Sequence, residues 1–446
     1  MKDGKLLLLR HGVAFSFLAG FIFSTPSLAD ENTKDILNKA ASFTVKIKRY
    51  TDFPFFDELR GSSFGSGFLV DRKRGWIATN AHVSGQNPAS LEVAFRNRGY
   101  SDAKLVYVDP VLDMAVIEIE KNSIPEVATE ASLACGSEPE IGTQVIAFGH
   151  PQKMEFSGSR GIISAKTTLL GTRWIQTDAT TSGGSSGGPL LAADTGNVVG
   201  MSTRGIPKQN IKFAHFISPL CKILSQLRTG QDPSPHEFPY LIANDPDTQV
   251  GVNVIKVLSP AGSRLNLLVG DKIKGFIDRS EQTIPVATFY DLLEGLRGYE
   301  KNIRLSIERN AAKKTVAVQL KKHLPVLNRQ GLYFSGVVVA ALDRSGDQAI
   351  NPDGYLVVHD VREGSVAHQS GIENYDRISR VDGNVIKDIS DLCQHLRKKK
   401  DTNHKVRLIL ERTQNQKSGP YEGILIDIAV SELKQVGYTK TNSICK

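Results

Sequence analysis

The chain has 446 residues, is 40% hydrophobic and 23% charged, and carries a net charge of +8. That composition excludes a wholly disordered chain, a collagen and a polytopic membrane protein, and the length suits about three domains. The positive excess is small and no long basic block carries it, so it does not point to nucleic acid.

In chain order, Lys2, Lys5 and Arg10 precede an apolar run from Gly12 to Phe23. Ser27-Leu28-Ala29 then offers small residues where a signal peptidase reads. This predicts a secretory signal over residues 1–29, cleaved after Ala29. The run is shorter than the roughly twenty residues that span a bilayer, and no later stretch is long enough, so no stable membrane span is expected. Export permits disulfides. Cys135, Cys221, Cys393 and Cys445 allow three full pairings and form no CxxC motif.

Residues 30–230 read as short apolar strands between glycine turns: Gly67–Val70, Trp76–Thr79, Ala115–Ile117, Val145–Phe148 and Val198–Met201. Such spacing predicts antiparallel barrels or a sandwich. Cys221–Leu227 reads as a short helix, and Asp232-Pro233-Ser234-Pro235 as a linker. An internal repeat follows. Ile303–Arg309 resembles Val406–Arg412, and Gly270-Asp271-Lys272-Ile273 resembles Tyr375-Asp376-Arg377-Ile378. Helices are expected at Thr288–Leu296 and Ile389–Leu396, one per copy. The copies are bounded at residues 236–324 and 325–432, too few for a solenoid. Residues 433–446 carry little hydrophobic pattern and read as a mobile tail.

The chemistry lies in the first block. Gly183-Gly184-Ser185-Ser186-Gly187-Gly188-Pro189 has the glycine content of a tight turn that presents a nucleophilic serine. Backbone N–H groups of Gly184 and Ser186, in the loop Gly184-Ser185-Ser186, are the expected oxyanion donors. A serine needs a base, and His82 stands at the strand-to-loop edge that follows Trp76–Thr79. The base needs a carboxylate on its other nitrogen, and Asp113 opens Asp113-Met114-Ala115-Val116-Ile117. The string also fits GxSxG, but Pro189 and the following turn residues replace the helix that an α/β-hydrolase elbow requires. The acid and base also lie upstream, which excludes that fold. The histidines form no HExxH and show no ligand spacing, so no metal and no cofactor are expected; His150 and His215 read as structural.

Taken together, these motifs resemble the HtrA/DegP (Do-like) family of trypsin-fold serine proteases with C-terminal PDZ domains. The resemblance rests on Thr79-Asn80-Ala81-His82-Val83, Asp113-Met114-Ala115-Val116, Gly149-His150-Pro151, Gly161–Ala165, Gln176–Ala179 and Gly184–Leu190. It implies a mostly β chain: a double β-barrel protease domain followed by two PDZ-like α+β domains. It makes His82 the general base, Asp113 its orienting acid and Ser186 the nucleophile. It also implies homotrimers, or multiples of trimers, built through N-terminal aromatics, here Phe53, Phe55 and Phe56. Ser185 stands where the family usually has Asn, and the segment between Tyr50 and Gly65 is too short for the long regulatory loop of some relatives. Thr180, at the expected base of the specificity pocket, brings no carboxylate, which predicts cleavage after small or medium aliphatic residues. The repeats would capture peptide C-termini by strand addition, or act as spacers or in oligomer control, the second copy above all. In the first, Tyr240-Leu241-Ile242-Ala243 is the expected capture loop; in the second, Gly331-Leu332-Tyr333-Phe334. Neither keeps the family's glycine between its apolar residues. The expected function is an exported serine endoprotease for unfolded or damaged proteins, in the periplasm of a Gram-negative-type bacterium. The alternatives are a chaperone or scaffold with a latent protease block, and a regulatory protease for one client.

Overall fold

The computed structural model describes residues 28–55, 58–150, 156–169, 172–203, 205, 211–238, 240–244, 252–257, 266–322, 326–341, 356–402, 404–413 and 421–438. The expected signal before Leu28, Phe56, Pro151 and Cys445 lie outside these.

Helix α1 (Leu28–Phe43) leads into the first barrel. Its strands are β1 (Thr44–Thr51), β2 (Gly61–Asp71), β3 (Trp76–Thr79), β4 (Ser90–Phe95), β5 (Ser101–Asp109) and β6 (Met114–Ile119), closed in the order β1-β2-β3-β6-β5-β4. One-turn helix α2 (Ala81–Ser84) follows β3. The second barrel uses β7 (Gln144–Gly149), β8 (Ser157–Leu169), β9 (Thr172–Thr177), β10 (Pro189–Ala192), β11 (Val198–Ser202) and β12 (Lys212–Phe216), closed as β10-β11-β12-β9-β8-β7. Closure removes the sheet edges that would otherwise stay unpaired. The strings read as strands all lie in these elements. One apolar core joins Phe68, Ile77 and Val116 of the first barrel to Phe148, Leu191 and Met201 of the second. Helix α3 (Ser218–Arg228) closes on it through Leu220, Ile223 and Leu224, and Cys221 of that helix is bonded to Cys135. Cys393 is also disulfide-bonded.

The expected linker is not a free spacer. Pro233, Ser234 and Pro235 are buried, and the Pro233 carbonyl accepts from Arg297 Nη1 at 2.8 Å.

The first repeat copy contains β13 (His236–Glu237), β14 (Tyr240–Asn244), β15 (Val252–Val257), β16 (Lys272–Ile277), β17 (Thr283–Pro285), helix α4 (Phe289–Gly295), β18 (Asn302–Arg309), β19 (Ala312–Gln319) and β20 (Lys321–Lys322). Its sheet runs β14-β15-β16-β18-β19. Thr288 starts α4 with a reciprocal capping box to Asp291, which fixes where the helix begins. The second copy contains β21 (Gln330–Phe334), β22 (Val337–Ala341), β23 (Leu356–Val361), helix α5 (Val366–Gln369), β24 (Arg377–Val381), β25 (Asn384–Val385), helix α6 (Ile389–Thr402), β26 (Lys405–Thr413), β27 (Tyr421–Ala429) and β28 (Lys434–Gly437). Its sheet repeats the order as β22-β23-β24-β26-β27 and then adds β21 and β28 beyond β22.

The repeat motif has a structural cause. Arg309 grips Asp271 with Nε and Nη2 at 2.6 and 2.7 Å, and Arg412 grips Asp376 with the same two nitrogens, each at 2.7 Å. Both carboxylates are buried, and the planar fork satisfies both oxygens at once.

Two expectations are corrected. Lys434–Gly437, placed in a mobile tail, forms a strand on β21; Val436 is buried and the Tyr438 hydroxyl donates to the Asn87 carbonyl. Phe55, expected at a subunit contact, is fully buried against Tyr333, Val338, Ala340 and Val436 of the second copy, with the half-buried Phe53 ring tilted against Tyr333. Their apolar surface is thus covered within the chain.

Candidate active site

Asn80 ends β3 and opens α2, whose second residue is His82. Asp113 precedes β6 in a left-handed conformation, φ 52°, which few non-glycine residues adopt. The Asn80 side-chain amide holds it there by donating to the Asp113 carbonyl at 2.9 Å. The carboxylate then meets His82 twice. Oδ1 accepts the His82 backbone N–H at 2.9 Å, and Nδ1 lies 2.8 Å from Oδ2. With Nδ1–H pointed at a carboxylate, Nε2 is the nitrogen left free to accept a proton. Burial acts to raise Asp113, but His215 and His82 outweigh it and hold the group well below the ordinary carboxylate range. Asp113 is therefore ionised at neutral pH.

The serine loop belongs to the second barrel and is fastened to the first. The Ser66 N–H donates to the Ser186 carbonyl at 2.8 Å, and the Ser66 hydroxyl donates to the Gly184 carbonyl at 2.7 Å. That hydroxyl also accepts the His150 N–H at 2.9 Å, and the Ser66 carbonyl accepts from Thr79 Oγ1 at 2.7 Å. Gly187 sits at φ 83°, where a Cβ would fall 2.2 Å from the Ser66 carbonyl oxygen, so only glycine fits this close approach. Among the described residues, the N–H groups of Gly184 and Ser186 donate to no protein acceptor. Ser185 differs: its N–H donates to the Ser182 carbonyl at 2.9 Å and its side chain is buried. Its amide is spent on the turn rather than free for an oxyanion.

A paired His and Asp on one barrel, with a glycine-lined serine loop of the other barrel fastened to it through Ser66, matches the layout of trypsin-fold hydrolysis. The trypsin-like peptidase domain family matches residues 65–201, and the PDZ domain family matches residues 338–419. A "Probable periplasmic serine endoprotease DegP-like" of Pseudomonas fulva is 27% identical over 77% of this chain and 76% of its own length. The "Serine endoprotease DegS" of Haemophilus influenzae is 34% identical over 34% of this chain and 44% of its own. The solved "HtrA-type protease AlgW with tripeptide" superposes with a TM-score of 0.54 at 24% identity, covering 67% of this chain and 98% of that one. The chain is similar to HtrA/DegP-type serine proteases along both its peptidase and its PDZ part. It is a serine endopeptidase that carries PDZ-type modules, and such modules bind peptides.

Three residues of this site escaped sequence reading. Ser66 lies between Gly65 and Gly67, a second glycine-flanked serine whose pairing with Gly184 is non-local. Thr203 Oγ1 donates to Asp113 Oδ2 at 3.1 Å from beyond β11. His215, read as structural, is buried on β12 with its Nε2 3.6 Å from the same oxygen. His150 is buried and touches the site only through its backbone. Thr180 is exposed, and its N–H donates to Ser159 Oγ at 2.9 Å. Nearby Asp178 is committed to the Ile162 N–H at 2.7 Å.

The two expected peptide sites differ. Leu241 and Ile242 lie on β14, an edge strand of its sheet, against α4; Ile242 packs on the module core, while the Leu241 side chain lies outside what is described. In the second copy the expectation is corrected. Leu332, Tyr333 and Phe334 are buried in β21, which pairs with β22 on one side and β28 on the other and touches α6. Aligned on the shared sheet order, β22 corresponds to β14. The segment expected to capture a peptide therefore occupies the place where one would add.

Proposed function

We propose that this protein hydrolyses peptide bonds of unfolded or damaged proteins in the periplasm, through an acyl-enzyme on Ser186. Ser186 Oγ attacks the carbonyl carbon while His82 Nε2 takes its proton. The oxyanion that forms is held by the N–H groups of Gly184 and Ser186. His82 then protonates the departing amine, and water, deprotonated by His82, releases the acyl group. Asp113 keeps His82 in the useful tautomer and stabilises its cation. The observation that carries the assignment is the Asp113 carboxylate, half-buried and ionised, on His82 Nδ1 at 2.8 Å.

An extended chain reaches such a cleft and a folded domain does not, which selects unfolded substrates. Thr180 offers no negative charge to a Lys or Arg side chain, which favours cleavage after small or medium aliphatic residues. The open edge of β14 beside α4 suits capture of a peptide C-terminus. Export by the N-terminal signal and the periplasmic relatives support the location. Assembly into trimers or their multiples would use surfaces other than Phe53 and Phe55, which the second module covers.

The test is degradation of a reduced, unfolded model protein by residues 30–446 beside Ser186→Ala. Cleavage by the parent alone is the expected outcome. Cleavage by neither points to a chaperone or a single-client protease, and equal cleavage by both sinks the Ser186 assignment.

A further inference from the structure

His215 stands on β12, opposite Met201 of β11 and Trp174 of β9. The Trp174 ring covers the imidazole, with centroids 4.2 Å apart. The side chain is only 3% exposed, and its Nε2 lies 3.6 Å from Asp113 Oδ2. That nitrogen is buried and has no hydrogen-bond partner among the described residues. Buried polar atoms are normally paired, so an orphan aimed at the acid of a catalytic site asks for a role. The tautomer is not a free choice. A lone pair on Nε2 would face a carboxylate, whereas an N–H there is attracted to it. The separation is just beyond a hydrogen bond, and contacts of this kind tighten when a substrate or transition state is bound.

The groups around His215 are few. β9 presents Trp174, β11 presents Met201, and the turn before β6 presents Asp113, with His82 beyond it. Arg173, next to Trp174, pairs with Glu138 and lies over the Phe216 ring. Thr203 supplies a neutral donor to the same oxygen. Asp113 is thus the anion that His215 meets.

We propose that His215 is a positioning residue for the proteolytic reaction: its Nε2–H holds Asp113 Oδ2 and limits how strongly Asp113 stabilises the imidazolium on His82. The proposal rests on the His82–Asp113–Ser186 assignment above. A donor on Oδ2 draws negative charge away from the His82 bond. The acid limb of the reaction then extends to lower pH. Loss of the donor frees the carboxylate to turn and makes it a stronger partner for the cation.

The test measures the rate of fluorophosphonate labelling of Ser186 against pH, which needs no peptide specificity. Parent, His215→Leu, His215→Gln and Ser186→Ala are compared, each checked by thermal unfolding. Leucine removes the donor, and glutamine returns an N–H near the same place. For His215→Leu we expect a plateau rate roughly tenfold lower and an acid limb about half a pH unit higher. His215→Gln should restore most of both. A His215→Leu rate loss with an unmoved limb, or no change at all, overturns the proposal. So does a glutamine variant as impaired as leucine. Labelling of Ser186→Ala at the parent's rate would overturn the underlying assignment, and this proposal with it.

Discussion

The two PDZ-type modules share a sheet order, a helix beside it and a buried Asp–Arg grip, yet they meet the rest of the chain differently. The first leaves β14 as an edge strand next to α4. It joins the protease through charge: Arg297, with Nη1 2.5 Å from Asp109 and Nε 2.6 Å from Glu294, is completely buried. The second fills its edge with β21 and β28 and joins the protease through an aromatic plug. Phe55 enters its sheet, Arg60 pairs with Asp360, and Arg362 pairs with Asp52 at 2.8 Å. One duplicated fold thus presents an open edge in one place and a closed packing element in the other. What decides is whether the chain's own strand already occupies the edge, since strand addition needs unpaired backbone groups.

The sharpest way to break that contrast is to count bound peptides. Calorimetry with a peptide ending in a free apolar carboxylate should give one site per chain, because only β14 is open. Removing Leu433–Lys446 should leave the count at one, since Gln330–Phe334 still covers β22. Two sites in the parent would refute the contrast.

This difference was invisible in the sequence for a physical reason. The catalytic motifs, the barrel strands, α4 and the start of α6 are local patterns, and each was legible. Gly331–Phe334 has the composition of a capture loop, but its state depends on Lys434–Gly437 nearly a hundred residues away. A strand with one inward apolar residue, Val436, gives no period to read. Phe55 and His215 likewise owe their roles to partners brought close only by folding. A histidine in an apolar strand is usually core, and only the distance to Asp113 says otherwise.

The next largest effect concerns the charged joint. Arg297→Met leaves Asp109 and Glu294 buried without their cation, a loss of about 3–5 kcal/mol. Chemical denaturation should show it, together with exposure of the linker around Pro233. Arg407→Ala, which breaks an exposed surface pair with Asp427, should cost far less, since solvent screens such pairs. Equal costs would mean that the joint is no tighter than the surface. The grip inside the first module is intermediate. Burial raises Asp271, but the Arg309 hydrogen bonds prevail and its carboxyl sits below the ordinary value. Its stabilisation is therefore complete above the unfolded value, near pH 4, and is lost as pH falls through the folded one. Asp271→Asn should lower stability at neutral pH by about 1.5–3 kcal/mol. It should also flatten the acid side of the first module's stability curve; an unchanged acid slope would remove Asp271 as its cause.

The smallest effect sharpens the comparison at a single backbone angle. The residue before each gripped Asp is left-handed: Gly270 at φ 89° and Tyr375 at φ 74°. A side chain there costs about 1–2 kcal/mol. Open space surrounds the position of a Cβ at Gly270, so Gly270→Ala isolates the angle and should destabilise by about 1 kcal/mol. Tyr375→Gly relieves the same strain but adds freedom to the unfolded chain, which offsets about 0.4–1 kcal/mol of the gain. Its net effect should be smaller than that of Gly270→Ala and of opposite sign. A Tyr375→Gly loss above 1 kcal/mol would mean that the tyrosine ring, not the Asp–Arg grip, holds this turn in the second module.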